Sequence, residues 1–320
     1  MKARMMLSVV LLGVILSILA GCVPTTEVKL NLAPQRETVY KVVLETSKDY
    51  SFSQPSINKT KERHTVGRVE MVFAQKIESV DQQGTAVADI TIKKLKYLSE
   101  DPQGKLMDFD SEAETSKSDP LMVLIGLSYK IKIMPDGKVE TVDVKAAREL
   151  IKEKGPAQNF VSKLFSDEEI ARRHQVLALM NTEKTLSKKG DKYSTIVAAP
   201  EGMLMPKSFE KVYTLTDIKK QGSDTIAVVD MSAATSSKRA ADTPADKQQK
   251  MNFFANMFDE KDNYTGKMVL NLTTGEIDSY QELLKAEWLA VEPSQEQKSD
   301  KGPDQLTMGF SSLFSIEKVK

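Results

Sequence analysis

The sequence predicts an α+β, β-rich fold: two related antiparallel curved-sheet units, of half-barrel kind, joined by a helical segment. Three observations carry this expectation. Long stretches alternate apolar and polar residues with period two. A central stretch changes to the 3.6-residue period of helices. A set of hairpin landmarks then recurs at matched spacing in both halves of the chain.

Strand signals begin at Tyr40. Residues 66–80 place Val69, Met71, Phe73 and Ile77 on one face and Arg68, Glu70, Lys76 and Glu78 on the other, the mark of a half-buried strand. Asp81-Gln82-Gln83-Gly84 turns the chain, and residues 85–98 run back with Ala86, Ala88, Ile90 and Ile92 on one side. A second hairpin covers 129–134 and 138–144 around Pro135-Asp136-Gly137, a strong turn signal. Helices are expected over 145–154, stopped by Gly155-Pro156, and over 157–165. A third is opened by the capping box Ser166-Asp167-Glu168-Glu169 and runs to about Met180. Strands resume at 192–199, 208–220 and 225–233. A short apolar helix is expected over 248–258, a hairpin over 264–272 and 276–291, and a last strand over 306–319.

The two strand regions resemble each other. KIESVDQQGTAVAD, ending at Asp89, parallels DIKKQGSDTIAVVD, ending at Asp230. Asp89 precedes the hairpin glycine Gly137 by 48 residues, and Asp230 precedes Gly275 by 45. A polar stretch and an apolar helix candidate lie in each interval. The pattern reads as an internal duplication about 140 residues apart. The organisation expected is a signal peptide over 1–21, a tether over 22–36, a first β-rich half over 37–144, a helical linker segment over 145–190 and a second β-rich half over 191–320.

Lys2 and Arg4 precede an uncharged apolar run, Met5 to Ala20, that ends in small residues. The run is shorter than the roughly 20 residues of a membrane-spanning helix, which favours an export signal. Leu19-Ala20-Gly21-Cys22 resembles the bacterial lipobox. That resemblance implies cleavage between Gly21 and Cys22 and a diacylglycerol on the Cys22 thiol, with further acylation of the new amine. Each buried CH₂ of such chains contributes roughly 0.8 kcal/mol, so two or three chains hold a protein stably on a membrane. Val23, in place of an aspartate, favours the outer membrane facing the periplasm if the host is Gram-negative.

Cleavage there leaves 299 residues with 43 basic and 45 acidic side chains. The near balance gives no basic face for nucleic acid. Cys22 is the single cysteine, so no disulfide and no cysteine metal site can form within one chain. The stretches MDFDSEAETSKSDPLMVLIGLSYKIKIMPDGKVETVDV and SDEEIARRHQVLALM, with Gly190-Asp191-Lys192-Tyr193, resemble a family of uncharacterised bacterial lipoproteins. These are envelope proteins with two β-rich halves joined by a helical segment. The resemblance spans roughly residues 65–290 and implies fold and address, not activity. More loosely, long hairpins and helices on a lipoprotein resemble half-barrel carriers and receptors that hold acyl chains, an analogy of fold alone.

Catalytic signatures are missing from the sequence: no HExxH, CxxC, GxSxG or Walker loop occurs. His64 reads as a surface residue and His174 as a core histidine on an apolar helix face. Asp89 and Asp230 read as duplicated strand-end positions rather than a catalytic pair. Asp108, Asp110, Glu112 and Glu114 read as a solvated acidic insertion, because the glycine and terminal glutamate of a calcium loop are absent. Three apolar stretches stand out as ligand or partner contacts: Leu121, Met122, Leu124 and Ile125; Met203, Leu204 and Met205; and Phe254 with Phe258. The expected function is therefore a non-enzymatic, lipid-anchored envelope protein. It would bind an apolar small molecule or an envelope protein, with no metal and no cofactor beyond the acyl lipid on Cys22. The alternative is a structural or assembly subunit without a small-molecule site.

Overall fold

A computed structural model describes residues 27–152, 154–180, 185–204, 207–240, 257–293 and 301–319. Among the described residues twelve strands form one continuous antiparallel sheet. They are β1 (Glu37–Gln54), β2 (Lys59–Val80), β3 (Ala86–Asp101), β4 (Gly104–Asp110), β5 (Ser128–Ile133), β6 (Val139–Asp143), β7 (Lys192–Ala198), β8 (Ser208–Gln221), β9 (Asp224–Ser236), β10 (Asp259–Asn271), β11 (Glu276–Val291) and β12 (Gln305–Lys318). The order across the sheet is β6-β5-β3-β2-β1-β12-β11-β10-β9-β8-β7, with β4 paired to the far part of β3. The β-rich α+β class is the one the sequence predicts. The sequence leaves open whether the two halves form one sheet system or two domains; they share one sheet.

Apart from one break, this order is the order of the chain. Strands β7 to β12 follow one another across the sheet, β12 zips onto β1, and β1 to β6 continue in the same direction. The seam is long, running from Tyr40 opposite Lys318 to Ser53 opposite Gln305. At 18 residues, β1 spans about 60 Å. The break falls between β6 and β7, which are the two free edges. The chain between them carries the helices α1 (Lys145–Arg148), α2 (Pro156–Leu164) and α3 (Asp167–His174). The helical segment thus carries the chain from one edge of the sheet to the other, over its inner face.

That face is concave, as one contact requires. Lys211 on β8 reaches Glu282 on β11, Nζ to Oε2 at 2.5 Å. Neighbouring strands lie about 4.8 Å apart, so a flat sheet would separate these positions by about 14 Å. The register places Tyr97, Val69, Leu44, Phe314, Glu282, Gly266, Met231 and Tyr213 in one row across the inner face. A neighbouring row carries Leu95, Met71, Val42, Ile316, Tyr280 and Met268. Alternation along each strand puts these side chains on one side, where most of them are buried.

The segment expected as a tether is packed from Val28 onward. Val28, Leu30 and Leu32 are buried, with Glu27, Lys29 and Asn31 exposed between them. Its backbone bonds run to Leu186, Pro135 and Gly275 rather than to a strand ladder. Gly275 sits at φ +70°, and a Cβ there would lie 2.1 Å from the Asn31 carbonyl oxygen. A glycine at this turn is what lets the N-terminal segment cross the hairpin. Glu276 beside it is buried and gathers Arg36 Nε and Lys318 Nζ, each at 2.8 Å, with the Thr38 hydroxyl. The beginning of β1 and the end of β12 are tied at that point.

The helices are shorter than their periodicity suggests. The first stops at Arg148. The third stops at His174, where Gln175 turns extended and the Val176 N–H bonds the Gly137 carbonyl. The capping box forms as expected, Ser166 Oγ accepting from the Glu169 N–H at 3.2 Å. Part of the acidic insertion is strand β4, and each of its acids meets a lysine: Asp108 with Lys105, Asp110 with Lys96, Glu112 with Lys94 and Glu114 with Lys117. Among the described residues no helix is long and apolar enough to cross a membrane. Residues 1–26, with Gly21 and Cys22, and most of the helix expected over 248–258 lie outside the described residues.

Candidate functional site

The curled sheet and the helices that cross it enclose a cleft. Its main chamber, about 610 Å³, lies between α2 and α3 on one side and β1, β8, β10, β11 and β12 on the other. A side chamber of about 190 Å³ extends toward β2 and β3 and shares Thr46, Lys163, Glu169 and Arg172 with the first. The side chamber is the more apolar, walled by Leu44, Val69, Tyr97, Phe160 and Leu164. Tyr97 and Phe160 stack there at 4.1 Å between ring centroids. Gly67 on β2 leaves the opposing wall without a side chain.

The floor of the main chamber is a buried polar cluster centred on Glu282. Its Oε1 accepts from the hydroxyls of Tyr213 at 2.9 Å and Tyr280 at 2.5 Å. Its Oε2 accepts from Lys211 Nζ at 2.5 Å and the Tyr264 hydroxyl at 3.0 Å. Lys211 also lies 4.6 Å from the centre of the Tyr264 ring, within reach of a cation–π interaction. Gly266 makes the arrangement possible, since a Cβ there would sit 3.1 Å from Glu282 Cγ and 2.8 Å from the Gln281 carbonyl oxygen. Burial, and then the Glu282 charge, push the hydroxyls of Tyr213, Tyr264 and Tyr280 well above the usual tyrosine range. The carboxylate is occupied by four donors. It holds the floor together and is poorly placed to take a proton from a substrate.

At the C-terminal end of α3 lies a second buried group. His174 Nε2 is 2.7 Å from the Tyr129 hydroxyl, and its ring meets Phe73 edge-on at 4.7 Å. Burial, with the Arg173 charge adding to it, holds the His174 pKa well below 6.5. The folded protein therefore carries a neutral imidazole, while the unfolded chain takes a proton below about pH 6.5. Stability from this residue is complete above that pH and is lost as pH falls toward the folded pKa. His174→Leu is expected to remove a slope of about 1.4 kcal/mol per pH unit from acid destabilisation. Urea midpoints at a series of pH values below 6.5 measure it; equal slopes in the two proteins would refute it.

The residues that sequence reasoning proposed as contacts lie elsewhere. Leu121 and Leu124 are fully buried, and Met122 and Ile125 pack partly against the same core. Met203 is buried and Leu204 is exposed. Phe258 packs at the core margin. None of these lines the cleft. Met205 and Phe254 lie outside the described residues. The apolar connectors fill the core because loops beside a curved sheet must cover its margin. Asp89 stands opposite Lys130, and Asp230 opposite Lys267, so both face a lysine across an adjacent strand. His64 is exposed and 2.7 Å from Asp49. Those two line a larger but open hollow of about 780 Å³ at the far end of the long hairpins, walled by exposed charged residues. Sequence reasoning missed the Glu282 cluster entirely. Its local signal is the polar residue at 282 in the apolar alternation of Tyr280, Leu284, Ala286 and Trp288.

No family model matches this chain, and no curated protein matches it. Among solved structures, one described as lipid–protein interactions in lipovitellin aligns at TM-score 0.44 and 8% identity, over 90% of this chain; this chain spans 25% of that one. A DUF1329 family protein from Desulfovibrio piger aligns at TM-score 0.14 and 7% identity, over 85% of this chain and 84% of that one. OpdQ of Pseudomonas aeruginosa aligns at TM-score 0.16 and 9% identity, over 89% of this chain and 98% of that one.

Proposed function

We propose that this protein is a lipid-anchored envelope protein that binds an amphiphilic ligand in the cleft between its sheet and helices, without catalysing a reaction. One observation carries the reading: a chamber of about 610 Å³ with a polar floor adjoins a smaller and more apolar side chamber, whose wall is completed by Arg68 and by the four residues the two share. A ligand with a polar group and an apolar chain matches that division. Saturation of Glu282 by four donors supports a binding role over a catalytic one. The envelope address rests on the resemblance of residues 19–22 to a lipobox.

The test is native mass spectrometry on a form exported without Cys22 and purified from the host envelope without detergent. An added mass that organic solvent extracts is the expected result. A bare polypeptide mass would reject the binding reading in favour of a structural subunit. Radioactive palmitate should label the wild-type chain and not Cys22→Ser; label that persists in the variant would reject the anchor.

A further inference from the structure

Arg173 is the most anomalous charged group among the described residues. Its side chain is 0% exposed and forms no ion pair with a described carboxylate; the Tyr129 hydroxyl lies beside the guanidinium, yet Nε and both terminal nitrogens make no hydrogen bond of good geometry. Its neighbour His174 also buries an unpartnered Nδ1. Because His174 is neutral, one ring nitrogen carries a proton. If the Tyr129 hydroxyl donates to Nε2, the proton sits on Nδ1 and becomes one more buried donor. Burial raises the Tyr129 pKa against the charge and hydrogen bond of Arg173, and among the described residues that charge is the only one acting on Tyr129 or His174. An uncompensated cation in a protein interior carries a desolvation penalty too large to leave unanswered. A guanidinium cannot relieve it by losing its proton, because the charge is delocalised and the group stays protonated in proteins.

We infer that the interior between α3 and β5 binds a small monovalent anion of halide type, held by the Arg173 guanidinium. The site is separate from the cleft, whose two chambers are lined by Arg172 and not by Arg173. Consecutive residues of α3 thus face different surroundings: Arg172 faces the chamber with Glu169, and Arg173 points into the core. The anion compensates the charge and accepts donors that the protein leaves unpaired. It acts as a structural ligand that binds the folded state alone and so stabilises it by mass action.

The experiment uses the full chain and compares thermal unfolding in sodium chloride and sodium gluconate at equal ionic strength. Chloride should raise Tm by at least about 3 °C over gluconate, in a saturable manner. Arg173→Met, which keeps length and removes the charge, should unfold at one temperature in both salts. Crystals grown in bromide should show an anomalous peak beside the guanidinium. Equal Tm values for the wild type in the two salts would overturn the site. So would a chloride effect that survives in Arg173→Met, because it would arise elsewhere. If that variant does not fold, the wild-type titration and the bromide peak decide: a saturable effect with a peak at Arg173 supports the site, and no peak there rejects it.

Discussion

Glu282→Ala is expected to lower folding stability by about 3–5 kcal/mol, the range for removing one partner of a buried ion pair. The loss has two sources. Lys211, 2% exposed, is left as a buried ammonium with no counter-charge. The hydroxyls of Tyr213, Tyr264 and Tyr280 also lose their common acceptor. Unpaired buried polar groups cost more than the bonds they lose would suggest. The share due to the buried charge should be recovered in the double variant Lys211→Met/Glu282→Leu, which removes the charge with its partner, while the share due to the three hydroxyls remains. Urea unfolding of the three proteins measures this. If the double variant is as unstable as the single one, the buried charge is not the source of the loss and the cluster stabilises through its tyrosines. The contacts that Glu282 draws together come from β8, β10 and β11, so its loss should also relax the curl that forms the cleft.

A steep loss of stability above pH 10 is the second large effect expected. Burial raises the pKa of Tyr40, Tyr129, Tyr193, Tyr213, Tyr264 and Tyr280, and for the last four the Glu282 charge adds to it. These hydroxyls stay neutral in the folded protein, whereas the unfolded chain ionises them near pH 10. Their contribution is complete below that pH and falls as pH rises toward the folded values. Each group contributes about 1.4 kcal/mol per pH unit once the unfolded chain is ionised. Six together exhaust the typical 5–15 kcal/mol of a domain within about one to two pH units above 10. Tyrosinate absorbance and loss of the strand circular dichroism should appear in one transition. Six tyrosines that ionise near pH 10 while the circular dichroism stays native would contradict their burial.

The local elements were legible in the order of residues. Period-two alternation at Val69, Met71, Phe73 and Ile77 identified β2, because a strand with one buried face must alternate. Pro135-Asp136-Gly137 fixed the β5–β6 turn, and Ser166 with Glu169 fixed the start of α3, because caps and turns depend on a few adjacent residues. Alternation does not reveal which strands pair across the chain. The zipping of β12 onto β1, which merges two expected units into one sheet, rests on contacts more than 250 residues apart. Nor could it show that Val28, Leu30 and Leu32 close the core rather than trail as a tether.

The site depends on how distant strands pack together. A polar residue in an apolar strand reads as an interruption until its partners are known, and all of those of Glu282 but Tyr280 come from two other strands. The buried Arg173 is equally silent in sequence, where it stands beside the half-exposed Arg172 in a run of charged residues. A helix turns about 100° per residue, so neighbours face different surroundings. What each charge does follows from the face it is given, and only packing across the sheet assigns that face.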